Sequence, residues 1–493
     1  MSGGIIWCGS GCCCGSFACF FQTTITYSCE KIAKNIFIGT NKYQNTYLLA
    51  RIVDELPKNY YNESMKRKII QRLLKWKHEK TNRMPLLLYG ARQVGKTYTL
   101  KEFGNEYYRN SVYVNFERMA EVHDFFVGNI DPQKIIRLLE SKTKTKIIPE
   151  DTLIIFDEIQ SCERALTSLK YFAEENPDYH IIAAGSLLGV AINRKQYSFP
   201  VGKVYMETLY PLDFEEFLMA NGELILIDMI NEHFKSFKQI SEVWHNKAME
   251  LYRLYTLVGG MPAVVKHFID NEKSLFEIQE LQGLIINAYV NDMSKYASAS
   301  DAIKIMASYE SIPAQLAKDN KKFQYKVVKK GGSASLFGDS LEWLISSGVV
   351  LRCPKTQALM PPSVYADPSS FKIYMSDVGL LSYRNNISID NLLSEERLFT
   401  GGLAENYVAC HLKSNGYKIF YWESENMAEI DFLIQKDGKI IPIETKANLH
   451  TKSKSLNVYR EKHKPEYSIR ISAKNFGFAN EIKSIPLYAV YLI

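Results

Sequence analysis

Four short apolar runs recur between residues 86 and 184: Leu86-Leu87-Leu88-Tyr89, Val112 to Val114, Thr152 to Phe156 and Ile181 to Ala184. Their lengths suit buried strands, and the stretches between them are long enough for helices. That is the rhythm of a parallel sheet with crossover helices. Ahead of them, between Met65 and Glu79, Ile69, Ile70, Leu73, Leu74 and Trp76 recur at helical spacing with lysines and arginines on the other face. An amphipathic lead-in helix is expected there. The first domain is therefore α/β.

After Pro211 the pattern turns helical, through Phe214 to Ala220 and Trp244 to Leu257, until Gly259-Gly260-Met261-Pro262 breaks it. Residues 300 to 352 give short helical segments, a lysine-rich stretch from Lys321 to Lys330, and a helix over Phe337 to Ser346 leading into Val349-Val350-Leu351. This succession predicts a small winged-helix-like module. From Gly401 one helix through Glu405 and Val408 precedes extended runs at Lys418 to Trp422, Glu429 to Gln435, Lys439 to Lys446, Tyr467 to Ser472 and Leu487 to Ile493. A second α/β domain is expected. The boundaries read as an extension over 1–64, an α/β domain over 65–220, a helical and winged-helix-like middle region over 221–395, and a tail domain over 396–493.

A length of 493 residues exceeds what one core usually supports, and 46% hydrophobic with 23% charged residues excludes a disordered or fibrous chain. The formal charge of +6 suits a polyanion partner without demonstrating one. Cys8, Cys12, Cys13, Cys14, Cys19 and Cys29 cluster in a stretch, residues 1 to 29, that carries no charge. The Cys12-Cys13-Cys14 triplet lacks the spaced pairs and histidines of a zinc site. The stretch lacks the basic start of a signal peptide, and Gly, Ser, Thr and Gln interrupt the roughly 20 apolar residues that a spanning helix needs. It reads as a poorly structured extension, or as translated sequence upstream of a start such as Met65. Cys162, Cys353 and Cys410 form no framework, which fits a reducing cytoplasm, and no membrane partner is expected.

Chemistry concentrates first after the Leu86 run. Gly90-Ala91-Arg92-Gln93-Val94-Gly95-Lys96-Thr97 matches G-x-x-x-x-G-K-[ST] and stands between a predicted strand and a helical stretch from Tyr98 to Phe103. Backbone N–H groups of such a loop turn toward phosphates, helped by the helix amino terminus. Lys96 is expected on the β and γ phosphates, with Thr97 on Mg²⁺. About 60 residues on, Leu153 to Phe156 ends in Asp157-Glu158, where Asp157 is placed to hold the magnesium shell and Glu158 to polarise the attacking water. Ser186, ending the Ile181 run, is a candidate γ-phosphate sensor or an ordinary turn residue.

These motifs, with Ala184-Gly185-Ser186, Pro200-Val-Gly-Lys203 and Leu209-Tyr-Pro-Leu-Asp-Phe-Glu-Glu-Phe217, resemble the prokaryotic AAA-family ATPases that carry a carboxy-terminal domain of unknown function. Tyr255-Thr-Leu-Val-Gly-Gly-Met-Pro262 and Tyr374-Met-Ser-Asp-Val-Gly-Leu380 resemble the same family's middle region, so the likeness covers residues 65 to 493. It implies ATP binding, hydrolysis and assembly into a larger particle such as a homo-oligomer, with Arg194 as a candidate arginine finger.

In the tail, Glu429-Ile-Asp431 and Ile440-Ile-Pro-Ile-Glu444-Thr-Lys446 flank a Lys436-Asp-Gly438 turn. Alternation puts Glu444 and Lys446 on one face, and Asp431 on the neighbouring strand, so that they meet at a sheet edge with Glu405 from the preceding helix. Acids so close need a cation, and Mg²⁺ is the natural one. The arrangement resembles the PD-(D/E)XK nuclease fold. That resemblance implies Asp431 and Glu444 as metal ligands, Glu405 as an accessory ligand, and Lys446 as the group that positions or activates water. Lys321, Lys322, Lys326, Lys329 and Lys330, interleaved with Phe323 and Tyr325, read either as the basic wing of a DNA-binding module or as a solvated edge strand.

The expectation is an ATPase governing a nuclease-like tail, with nucleic acid as client, DNA first. The alternatives are a nucleotide-dependent protein-binding switch with an inert tail, and a membrane-tethered ATPase resting only on the uncharged amino terminus.

Overall fold

A computed structural model describes residues 65–493 apart from residues 80, 82, 194–198, 272–274, 388–399, 426–427 and 448–453. The expectations for residues 1–64 and for Arg194 lie outside the described residues. The lead-in helix forms as Ile69–Lys77, burying Ile69, Leu73 and Trp76.

The first sheet comprises β1 (Leu86–Tyr89), β2 (Asn110–Asn115), β3 (Thr152–Asp157), β4 (His180–Ala184) and β5 (Tyr205–Thr208). They lie in the order β2-β3-β4-β1-β5, every neighbouring pair parallel. Parallel strands need crossovers, which the helices Lys96–Tyr107, Pro132–Thr143 and Glu163–Glu175 provide, and these cover both faces of the sheet. Alternation sorts the side chains: Leu87, Ile154, Phe156 and Ile181 pack with Ile135, Leu139 and Leu166, whereas Leu86, Leu88, Ile155 and Ile182 pack with Leu100 and Phe103. Burial on both faces is why β1, β3 and β4 read as unbroken apolar runs, while β2, at one edge, is marked by its buried Val112 and Val114. β5 escapes that reading because it is an edge strand with Met206 61% exposed.

The second sheet takes β6 (Val350–Thr356), β7 (Ala366–Met375), β8 (Phe420–Glu423), β9 (Glu429–Lys436), β10 (Lys439–Thr445), β11 (Ser468–Ser472), β12 (Gly477–Ala479) and β13 (Ile482–Pro486) in the order β12-β13-β11-β10-β9-β8-β6-β7. The β6–β7 hairpin of the middle region is antiparallel and joins the tail through the parallel pair Lys355↔Tyr421. Sheet pairing therefore runs across residue 396.

Two expectations are corrected. Leu487 to Ile493 is a buried 3₁₀ segment, Leu487–Leu492, not a strand. A short apolar run buried all round has no periodicity to separate the two. The lysine-rich stretch is neither wing nor edge strand; it is loop plus the short helix Tyr325–Val328, and the hairpin β6–β7 follows the helix Ala334–Ser346 instead.

The middle region is held by a contact between its two quoted motifs. Asp377 caps the helix Val378–Arg384 through Leu380 N at 2.9 Å and accepts from Gly260 N at 2.6 Å. Gly259, at φ 75°, lies so close that a Cβ there would stand 2.3 Å from Asp377 Oδ1. Only glycine meets both demands.

Candidate nucleotide site and the tail cluster

β1 delivers the chain into the loop Gly90 to Thr97. Gly90 sits at φ 143°, and a Cβ there would meet Leu209 O at 2.2 Å, so the turn admits no side chain. Lys96 folds into the loop, donating to Gly90 O at 2.9 Å and Ala91 O at 2.8 Å. Burial lowers its ammonium to about 8, against the opposing pull of Glu158 and Asp157. A lysine so desolvated favours a polyanion beside it.

β3 ends where expected. Thr97 Oγ1 donates to Asp157 Oδ2 at 2.7 Å, and Asp157 Oδ1 accepts Glu158 N at 3.1 Å. This hydroxyl and carboxylate fit Mg²⁺, an oxygen-seeking ion bound through few protein groups plus phosphates. Glu158 stands at φ 51°, and Gln160 Nε2 donates to its Oε2 at 2.6 Å. Because β4 lies between β1 and β3, Ser186 at its end falls beside the P-loop. It lines a small cleft with Arg92, Tyr289, Asp292 and Trp343.

Sequence reasoning does not single out Tyr113, Gln160 or Arg67. Tyr113 donates to the same Asp157 oxygen as Thr97, at 2.8 Å. Arg67 reaches Val94 O at 3.0 Å, Tyr210 O at 2.7 Å and Glu216 Oε1 at 3.1 Å. The Asp213 and Glu216 positions of the Leu209 motif form a capping box that presents Glu216 to it. The signal for Arg67 lay in that Asp-x-x-Glu spacing. From the helix Leu275–Tyr296, Tyr289 donates to Arg92 O at 3.1 Å and Asp292 pairs with the Arg92 guanidinium.

In the tail, Ile443↔Phe432 sets the register of the β9–β10 hairpin, so the next pair outward brings Glu444 opposite Asp431. These strands are interior to the sheet rather than at its edge. Lys446 pairs with Glu444 Oε1 at 2.7 Å, and Thr445 N donates to Asp431 Oδ2 at 2.7 Å. Burial, then the neighbouring Glu405 and Glu444, push Asp431 well above the usual carboxylate range. Glu405, on the helix Thr400–Ser414, is within reach of the group, but Lys321 takes its Oε1 at 2.6 Å, and Lys372 lies 3.6 Å from its Oε2. Tyr374 OH also donates to Oε2, at 3.3 Å. Among the described residues no three acidic, histidine or cysteine side chains are gathered as a metal site. The carboxylates here are already met by ammonium groups, Glu405 by Lys321 and Lys372 and Glu444 by Lys446, and these pairs rather than a set of free carboxylates face the position where a divalent ion was expected.

Residues 82–218 match the family described as AAA domain; residues 249–391 and 400–490 match domains of unknown function, DUF8612 and DUF4143. A search of curated proteins found no match. Among solved structures the chain is similar to a Walker-type ATPase of Pyrococcus abyssi, at 16% identity over 68% of this chain and 99% of that one, TM-score 0.40. It is also similar to the Aeropyrum pernix ORC2 protein in ADPNP-ADP complexes (15%, 68% and 97%, 0.33) and the Aeropyrum pernix ORC1 protein in complex with DNA (10%, 69% and 96%, 0.26). Residues 82–218 are an AAA-type P-loop domain, set in one chain with two domains of unknown function.

Proposed function

We propose that the chain binds ATP with Mg²⁺ at Gly90 to Thr97, hydrolyses it, and passes the nucleotide state to its middle region, with the tail as a non-cleaving platform. The observation carrying this reading is the convergence of Lys96, Thr97 and Asp157 at one loop, with Glu158 beside them. Lys96 and the loop N–H groups would hold the phosphates, while Thr97 and Asp157 would hold Mg²⁺, which neutralises phosphate charge when bound. Glu158 orients water, and Gln160 fixes that carboxylate. Phosphate release from Mg²⁺-ATP tests this: Lys96→Ala is expected to lower turnover about a hundredfold or more. Glu158→Gln should still bind nucleotide while turning over no faster. Undiminished turnover in Lys96→Ala would remove the assignment.

Nucleic acid is the client that a second observation favours. Lys326, Lys329 and Lys330 are exposed just before the helix Ala334–Ser346 and the β6–β7 hairpin. Lys321 is not part of that surface, since Glu405 holds it. Duplex binding that weakens steeply with salt, and loses about one unit of salt slope for each of these lysines replaced by Gln, supports this reading. Salt-independent binding would exclude it. Light scattering with and without ATP reads the homo-oligomer that belongs to the same proposal.

A further inference from the structure

Four carboxyl groups, Glu405, Glu429, Asp431 and Glu444, meet three ammonium groups, Lys321, Lys372 and Lys446, in the tail. Lys372 is the one among these with no exposed side-chain surface. It pairs with Glu429 as well as Glu405, and its ammonium lies 5.2 Å from the centre of the Tyr421 ring. A buried ammonium persists only with such partners, and removing it leaves their charge uncompensated.

The strand that carries Lys372 is fastened to the helix that carries Glu405. Met375 N donates to Asn406 Oδ1 at 2.7 Å, and Asn406 Nδ2 donates back to Met375 O at 3.0 Å. Asn406 is the residue next to Glu405, so this two-way clasp fixes β7 against the carboxylate. On the other side β7 pairs with β6 through Cys353↔Lys372. Lys372 therefore stands on a strand held on one side by β6 and on the other by the Asn406 clasp.

We infer that the Glu405, Asp431, Glu444 and Lys446 group is closed by the chain's own ammonium groups, Lys372 above all, and takes no divalent cation. This rests on the tail being a non-cleaving platform and gives that platform a physical cause. Lys372 serves as an internal counter-ion that ties the middle region's hairpin to the tail. Glu444 Oε2 is buried without a partner among the described residues, so Glu444 is one of the two carboxylates on which the test turns.

Two measurements on the full-length, nucleotide-free chain test the inference. In a Mn²⁺ titration followed by electron paramagnetic resonance, Asp431→Asn and Glu444→Gln should bind the ion as the parent does. A loss of affinity on the order of tenfold in either would overturn it. In a thermal-stability cycle, Lys372→Met should lower the melting temperature, and adding Glu405→Gln should restore part of the loss. Strict additivity would overturn the counter-ion role. Should Lys372→Met not fold, a folded double variant gives the same answer, and the Mn²⁺ titration decides independently. Mn²⁺ binding that depends on Asp431 or Glu444, without plasmid nicking, sinks this inference alone; Mg²⁺-dependent nicking lost in Asp431→Ala sinks the platform reading itself.

Discussion

His411 shows what burial does to a single side chain. Its Nε2 accepts Phe214 N at 2.9 Å, and Nδ1 faces Tyr407 O at 2.9 Å, so the ring is neutral with its proton on Nδ1. Desolvation lowers it from 6.5 to about 4. Between those values the unfolded chain binds a proton that the folded one refuses, so this stability is present above pH 6.5 and lost as pH falls toward 4. From pH 7 to pH 5 the loss amounts to about 2 kcal/mol. Denaturant unfolding of His411→Gln should show that much less dependence on pH over the same interval; an unchanged dependence would place the titration elsewhere. Tyr113 makes a second prediction at this scale. Its hydroxyl helps hold Asp157 Oδ2, and a hydrogen bond to a charged group contributes about 1.5–3 kcal/mol, so Tyr113→Phe should cut ATP turnover roughly tenfold or more while the chain stays folded. Unaltered turnover would mean that Thr97 alone positions the carboxylate.

At the scale of elements, the capped helix Val378–Arg384 and the break after Val258 are one construction. Asp377→Ala removes a cap and strands the Gly260 and Leu380 N–H groups, at a cost of about 2–4 kcal/mol in unfolding experiments. Gly259→Ala should be comparably damaging, because its Cβ enters the Asp377 carboxylate. If either variant melts with the parent, the clasp contributes nothing. The legibility of elements follows the same physics. β1, β3 and β4 were plain because both faces are apolar, whereas β5, β7, β12 and β13 and the helix Lys454–His463 carry mixed faces and no unbroken run. Lys321 misled because a lysine is read as solvated, while this one offsets its desolvation through Glu405, 84 residues away.

Across the molecule, the P-loop and the middle region meet at Arg92. The guanidinium pairs with Asp292, whose carboxyl burial raises and Arg92 draws back, while Tyr289 binds the Arg92 carbonyl. Phosphate binding at the loop would therefore be felt by the helix Leu275–Tyr296. Hydrogen exchange in that helix should slow when a non-hydrolysable ATP analogue is added. The slowing should shrink in Asp292→Ala, with nucleotide still bound. Equal protection in parent and variant would remove Arg92 as the link. The described residues contain no helix long and apolar enough to cross a membrane.

By itself the sequence determined the parallel sheet, its phosphate loop and the carboxylates that end β3, because these depend on local periodicity and on residues adjacent in the chain. It also placed Asp431, Glu444 and Lys446 together, since a hairpin is local. Only the tertiary structure decided that Lys321 and Lys372 neutralise Glu405, that Tyr113 holds Asp157 and Arg67 the loop at Val94, and that the middle hairpin completes the tail sheet. Each joins groups far apart in sequence, where charge and burial are settled by which strands and helices pack together, and no window along the chain contains both partners.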